Sequence, residues 1–241
     1  MRKPFSVLMR NITGTIVGVS TDEAVIALTF DDGPDPEFTP QLLDVLEKHN
    51  AKATFFMVGE TAQEHPKLVK QIADCGHCIG NHSWDHSSFP LLTSRQRQNQ
   101  ILGCEKAIAP YGKKFFRPPY GHQSLMSHFD ALRLGYEVVT WNVMAEDWLD
   151  SRADVIVEKT ANKIKCGSIV LFHDRLHTFL EKKLANRQPM LRAVDMILEK
   201  FSNKFRFVTI DDLLKCGHAQ RLNWYQQEKP DWFEKLQKET V

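Results

Sequence analysis

The chain has 241 residues, of which 42% are hydrophobic and 25% charged, and its formal net charge is +1. That length supports one sizeable core, and the composition is that of an ordinary folded protein with no low-complexity tract or internal repeat. The near-zero charge argues against nucleic acid as a partner, and no run approaches the roughly 20 apolar residues that span a bilayer.

Residues 1–20 begin basic, but Arg10 and Asn11 interrupt the apolar run that a signal peptide needs. A cytoplasmic protein is the expectation, with a secreted domain trimmed of its leader as the alternative. Residues 1–24 read as an N-terminal extension whose segment 15–19 would form a hairpin with the first strand, 25–30. Further apolar β-type runs follow at 53–58, 78–80, 115–117, 136–141, 168–172 and 206–209. Helical patterns lie between them at 40–49, 61–74, 93–109, 124–134, 153–165 and 190–201. This alternation of about seven units is the pattern of a single-domain α/β fold with a parallel sheet, such as a β/α barrel. Residues 217–241 are polar but carry Trp224, Trp232 and Phe233. They read as a terminal helix or extension laid on the barrel, in preference to a partner-binding tail.

The five cysteines, Cys75, Cys78, Cys104, Cys166 and Cys216, are odd in number and scattered, which suits reduced thiols. Cys75 and Cys78 form a C-x-x-C around His77, but no second pair follows at zinc-ribbon spacing.

Four polar clusters stand just after predicted strands: Asp31-Asp32, His82 to His86, Arg117 to Gly121, and His173-Asp174. In a β/α barrel the C-terminal strand ends form one face, so these clusters converge. His82 and His86, four apart, would share one side of a helical turn within reach of a common ion, or would be two surface histidines. A carboxylate would complete a facial triad with open positions for water and substrate. Adjacent Asp31 and Asp32 could cap the next turn. Alternatively, pointing in different directions, one could bind metal while the other acts as a base.

Five segments, TFDDGPD at 29–35, NHSWDH at 81–86, RPPYG at 117–121, EDW at 146–148 and LFHD at 171–174, resemble the five motifs of the polysaccharide deacetylases. These are the carbohydrate esterase family four, or NodB-homology, proteins. The motifs occur in the family's order, and the resemblance covers roughly residues 25–214. It implies a distorted (β/α)7-type barrel over 25–216, followed by a C-terminal extension from 217. It further implies a metal-dependent hydrolase that removes acetyl groups from N-acetylated sugars, such as an N-acetylglucosamine-containing glycan or glycoconjugate.

By the same resemblance Asp32, His82 and His86 are the metal ligands and Asp31 is the general base that activates water. His173 is the acid that protonates the leaving amine. Arg117 orients Asp31, and Asp147 favours the protonated form of His173. The Tyr120 backbone N–H stabilises the oxyanion, and Tyr120, Trp148 and Leu171 line the substrate pocket. Two imidazoles and a carboxylate suit one divalent ion, zinc first, then cobalt or nickel. Met144 departs from the family, which often has an Asp three residues before the Asp-Trp pair, and this bears on the substrate cleft.

Alternative functions are hydrolysis of another C–N or ester bond, as in O-acetyl-xylan, a ureide or a cyclic imide, or a metal-bearing but non-catalytic carbohydrate-binding module. Outside the motifs, His77 and Trp141 read as structural. His122, His128, His177, His218 and Asp85 read as solvated.

Overall fold

The computed structural model describes residues 14–149 and 152–224; Trp232 and Phe233 lie outside them. In chain order the elements are β1 (Thr15–Ser20), β2 (Val25–Asp31), α1 (Phe38–Lys48), β3 (Ala53–Met57), α2 (Gly59–Glu64), α3 (Pro66–Asp74), β4 (Cys78–Asn81), α4 (Ser94–Ile108), β5 (Gly112–Phe116), α5 (Leu125–Arg133), β6 (Glu137–Val138), β7 (Val143–Met144), α6 (Ala153–Ala161), β8 (Ile169–His173), α7 (Gln188–Phe201), β9 (Arg206–Phe207), α8 (Ile210–Leu213) and β10 (His218–Leu222). A curled parallel sheet runs β6-β5-β4-β3-β2-β8-β7, and β9 pairs with the first residues of β2. This is the expected single-domain, distorted (β/α)7-type architecture.

The core explains why the site falls where it does. β2 is buried along its whole length, as a central strand covered on both faces must be. Its side chains alternate between two clusters. Ile26, Leu28 and Phe30 join the outer core beneath the helices, while Val25 and Ala27 face the barrel interior. Period two therefore carries Thr29 and Asp31 onto the inner row. On β8 the inner row is Ile169, Leu171 and then His173, and β5 places Phe115 on it. Polar residues thus occupy the last rungs of rows whose lower rungs are apolar. Outside the sheet, α1 and α7 present Leu42, Leu43 and Leu46, and Val194, Ile197 and Leu198, at helical spacing to the outer core.

Four expectations are corrected. The 15–19 segment makes no hairpin with β2, because β3 and β8 occupy the two edges of β2. β1 instead pairs antiparallel with β10, so residues 218–222 are a strand and not a helix. This ribbon bridges the open side of the sheet, where Thr140 N–H donates to Ile16 and Val19 N–H to Gly167. The helical stretch 61–74 is two helices, since Pro66 begins the second at a position that needs no N–H. The strand expected at 136–141 ends at Val138, and the carbonyls of Val139 and Thr140 turn to accept from the Arg117 guanidinium.

Phe30 is fully buried and stacks on Phe55 and Phe172, with ring centroids 5.3 and 5.8 Å apart. Phe30→Ala should cost about 3–5 kcal/mol, the usual range for a buried aromatic. Urea unfolding checks this: the midpoint should fall with the slope unchanged, and a loss under 1 kcal/mol would contradict the packing described.

Candidate metal centre and catalytic site

The chain leaves β2 through Asp32 with a left-handed φ of 73°, which turns the second carboxylate toward the same space as the first. Asp31 Oδ2 lies 3.7 Å and Asp32 Oδ1 3.4 Å from His82 Nε2. Asp32 Oδ1 is 3.1 Å from His86 Nε2. The two histidines do not share a helical turn. They flank a loop after β4 in which Ser83 and His86 have φ of 71° and 62°. Their rings converge all the same, with centroids 5.0 Å apart.

These three residues could hold a metal ion: one ligand atom from each of Asp32, His82 and His86 lies within 4.8 Å of the others, and all three are buried. The donor chemistry fits. His82 Nδ1–H donates to the Arg117 carbonyl at 2.7 Å, which leaves Nε2 with its lone pair toward the cluster. The His177 backbone N–H donates to Asp32 Oδ2 at 2.9 Å, while Oδ1 is buried without a hydrogen-bond partner among the described residues. Burial opposes the charge on Asp32, but the adjacent His86 and His82 rings hold its pKa well below the usual carboxylate value.

Asp31 and His173 are paired across β2 and β8. Arg117 holds Asp31 Oδ1 at 2.7 Å and Thr29 Oγ1 at 2.8 Å from the same nitrogen. Its guanidinium is completely buried, 4.0 Å from the Phe56 ring centre and 5.5 Å from that of Trp141. Trp141 is thus a core aromatic. His173 Nδ1 is 3.0 Å from Asp147 Oδ1, and its backbone N–H donates to Asp147 Oδ2. Burial resists charge on His173, but Asp147, helped by Asp32 and Asp31, raises its pKa above the ordinary value.

Tyr120 turns the chain with φ of 60°, its side chain partly exposed and its ring edge-on to His86 at 4.5 Å. Leu171 is buried two residues below His173, and Trp148 is half-buried with its ring edge-on to His173 at 5.1 Å. Met144 pairs with Leu171 and packs on the same inner cluster.

Arg187 escaped the sequence reading. It is buried and ion-paired with Asp147, donating as well to the carbonyls of Asp147, Leu184 and His173. Forty residues separate the pair, and no motif marks the arginine. Asp174 was also missed as a buried acid: burial, opposed by a hydrogen bond from Thr39, raises its pKa to about 7, and it packs under Gly33 where any Cβ would collide with it.

Several residues expected to be solvated are not. His122 is buried beside Tyr120, contacts Ser88, and has its pKa lowered to about 4 by burial and by His86. His128 is buried in a network with Thr15 and Gln123. His177 is half-buried against His86, and Asp85 is half-buried, accepting from Ser87 and Gln100. The loops that carry His122, His177 and Asp85 fold around the Asp32, His82 and His86 cluster, whereas His128 lies on α5 and is buried against β1. His77 is structural, accepting from the Ala53 N–H, and His218 is exposed on β10.

A family profile for polysaccharide deacetylases matches residues 18–139. A peptidoglycan-N-acetylglucosamine deacetylase of Bacillus cereus is 38% identical over 204 residues, 83% of this chain and 72% of that protein. The chain belongs to the polysaccharide deacetylase family. A chitooligosaccharide deacetylase of Azorhizobium caulinodans is 33% identical over 68% of this chain and 80% of its own. The crystal structure of a peptidoglycan N-acetylglucosamine deacetylase superposes with a TM-score of 0.79 at 34% identity, covering 90% of this chain and 99% of that one. As a polysaccharide deacetylase the chain is a hydrolase with an Asp-His-His cluster placed for a metal. None of the described helices is long and apolar enough to cross a membrane.

Two outcomes follow from this geometry. Purified protein should bind about one divalent ion per chain, and His82→Ala or His86→Ala should abolish that binding, as read by elemental analysis after dialysis. Because Asp147 raises the His173 pKa, Asp147→Asn should lower it. An NMR titration of the His173 ring in metal-free protein tests the sign, and an unchanged or higher pKa would contradict it.

Proposed function

We propose that this chain is a zinc-dependent deacetylase of N-acetylglucosamine-containing glycans, with Asp31 as base and His173 as acid. The observation that carries the reading is the placement of Asp31 and His173 on paired rungs beside the Asp32, His82 and His86 cluster, each held by its own charged partners. Asp32, His82 and His86 would hold the ion. Their two imidazoles and one carboxylate favour zinc, with cobalt or nickel as substitutes, over calcium or magnesium. A divalent ion there supplies polarisation of the acetyl carbonyl and a lowered pKa for the attacking water.

The chain's own groups do the rest. Asp31, fixed by Arg117, takes the proton of the attacking water. His173 binds Asp147 through Nδ1, so Nε2 is the atom left to protonate the departing nitrogen. An amine leaves poorly unless protonated, which is why a charged His173 matters. The Tyr120 N–H would donate to the carbonyl oxygen as it gains charge. Leu171 and Trp148 would enclose the acetyl methyl, and the exposed Tyr120 ring would meet the sugar. The relatives named for peptidoglycan and chitooligosaccharides share an N-acetylated sugar, which supports that substrate class.

The two aspartates should fail in different ways. Asp31→Asn should keep its metal while turnover falls by a factor on the order of 10² to 10⁴, the contribution of a positioned base. Asp32→Ala should lose metal and activity together. Metal analysis beside acetate release distinguishes them: metal loss in Asp31→Asn would exchange the two roles, and full activity would remove the base assignment. Across substrates, acetate should be released from N-acetylated saccharides and not from O-acetyl-xylan, and the reverse preference would favour an ester hydrolase.

A further inference from the structure

The turn that carries Tyr120 is held from outside the family motifs. Residues 119–121 place two successive left-handed conformations, Tyr120 at φ 60° and Gly121 at φ 72°. A non-glycine residue rarely takes this conformation unless its surroundings impose it. Two amides close the turn internally, Gly121 to Pro118 and His122 to Pro119, and neither is the Tyr120 N–H. Contacts from outside the turn therefore bear on the direction of the Tyr120 N–H, and within the motif loops these are the His86 ring on Tyr120 and Ser88 on His122.

Trp224 supplies contacts of that kind. Its indole Nε1–H donates to the Gly121 carbonyl at 2.9 Å. Its ring meets Trp141 edge-on, with centroids 5.4 Å apart at 74°. The two indoles wall the turn closely enough that a Cβ on Gly121 would sit 3.0 Å from Trp141 and 3.4 Å from Trp224. Trp141 in turn faces the Arg117 guanidinium that binds Asp31. Trp224 lies two residues beyond the end of β10, which β1 fixes across the open side of the sheet. Its position is thus set by the terminal ribbon and not by the helix-covered core.

We propose that Trp224 is a positioning residue that holds the 118–122 turn, and with it the Tyr120 N–H, in the direction the reaction requires. The catalytic half of this proposal rests on the oxyanion role assigned to that N–H under the proposed function. The structural half does not.

The test is Trp224→Phe in the full chain, which keeps an aromatic edge on Trp141 and removes the N–H. Amide hydrogen exchange at residues 120–122 should speed up about tenfold, while exchange in β2 and β8 stays unchanged. Acetate release from chitooligosaccharide should lose about tenfold in kcat, with KM, bound metal and the pH limbs of activity unaltered. A tenfold loss corresponds to about 1.4 kcal/mol, within the net worth of one hydrogen bond. Trp224→Ala should lose more on both measures. Unchanged exchange at 120–122 in Trp224→Phe overturns the proposal. So does an unchanged kcat, or faster exchange throughout the core, which would make Trp224 a general stability residue. If the wild-type protein released no acetate from any glycan, the proposed function would fail, and the exchange comparison would still decide whether the indole holds the turn.

Discussion

A guanidinium with no solvent exposure sits between Phe56 and Trp141, and the inner side of the sheet is arranged around it. Burying a cation without compensation costs several kcal/mol even after relaxation. Here the compensation is shared among Asp31, Thr29 and the carbonyls of Val139 and Thr140. Burial still lowers the Arg117 pKa, with Asp31 acting against it. The demand for acceptors explains why the chain after Val138 abandons regular strand pairing, and it ties β2 to the segment following β6 across the barrel. The Arg117 carbonyl also fixes the His82 tautomer, so one residue orders both the candidate base and a candidate ligand.

A second buried arginine repeats the device on the other side. Arg187 braces Asp147, which braces His173. The two arginines serve different ends: Arg117 orients the candidate base directly, whereas Arg187 holds the carboxylate that raises the His173 pKa. Removing either arginine would leave a buried carboxylate without its cation, a more damaging change than the loss of a surface ion pair.

Much of this was legible in the sequence. The β/α alternation and the motif-bearing strand ends follow from periods of two and 3.6 residues, and those periods are set by local backbone geometry. What failed required non-local knowledge. The 15–19 segment was expected to pair with β2, because nothing in its own residues says that both edges of β2 are occupied. Ser83 and His86 do not advertise left-handed backbone, so the H-x-x-x-H spacing suggested a helical turn that the chain does not make. His122 and His177 stand in polar stretches that only tertiary folding brings against His86, and His128 is on a helix whose side facing β1 the local sequence does not reveal. Arg187 belongs to the N-terminal flank of a helix, where an arginine usually signals nothing.

The backbone itself adds evidence that side-chain chemistry does not. Among the described residues, six that are not glycine have positive φ: Asp32, Asn50, Ser83, His86, Tyr120 and Glu146. Asn50 is an ordinary case, a residue type that tolerates the left-handed region, just after α1. The other five lie at or next to the candidate metal ligands, Tyr120, and Asp147, the partner of the candidate acid. Each such conformation costs on the order of 1 kcal/mol or more and persists only where surrounding contacts impose it. At Asp32 the contacts are the His177 N–H and two imidazoles, and at Tyr120 they are the His86 ring, the bonded turn and the Trp224 indole on the Gly121 carbonyl. Folding alone gives no reason to gather this strain on one face of the sheet, since the loops at the opposite end meet their left-handed turns with Asn50 and with glycines, residues that tolerate them. The reason lies in geometry: adjacent residues of a strand point to opposite faces, and only a reversal of backbone hand brings Asp31 and Asp32 to one histidine. The strained face and the chemically dense face coincide because convergence of that many polar groups on one point requires backbone that a regular strand end does not provide.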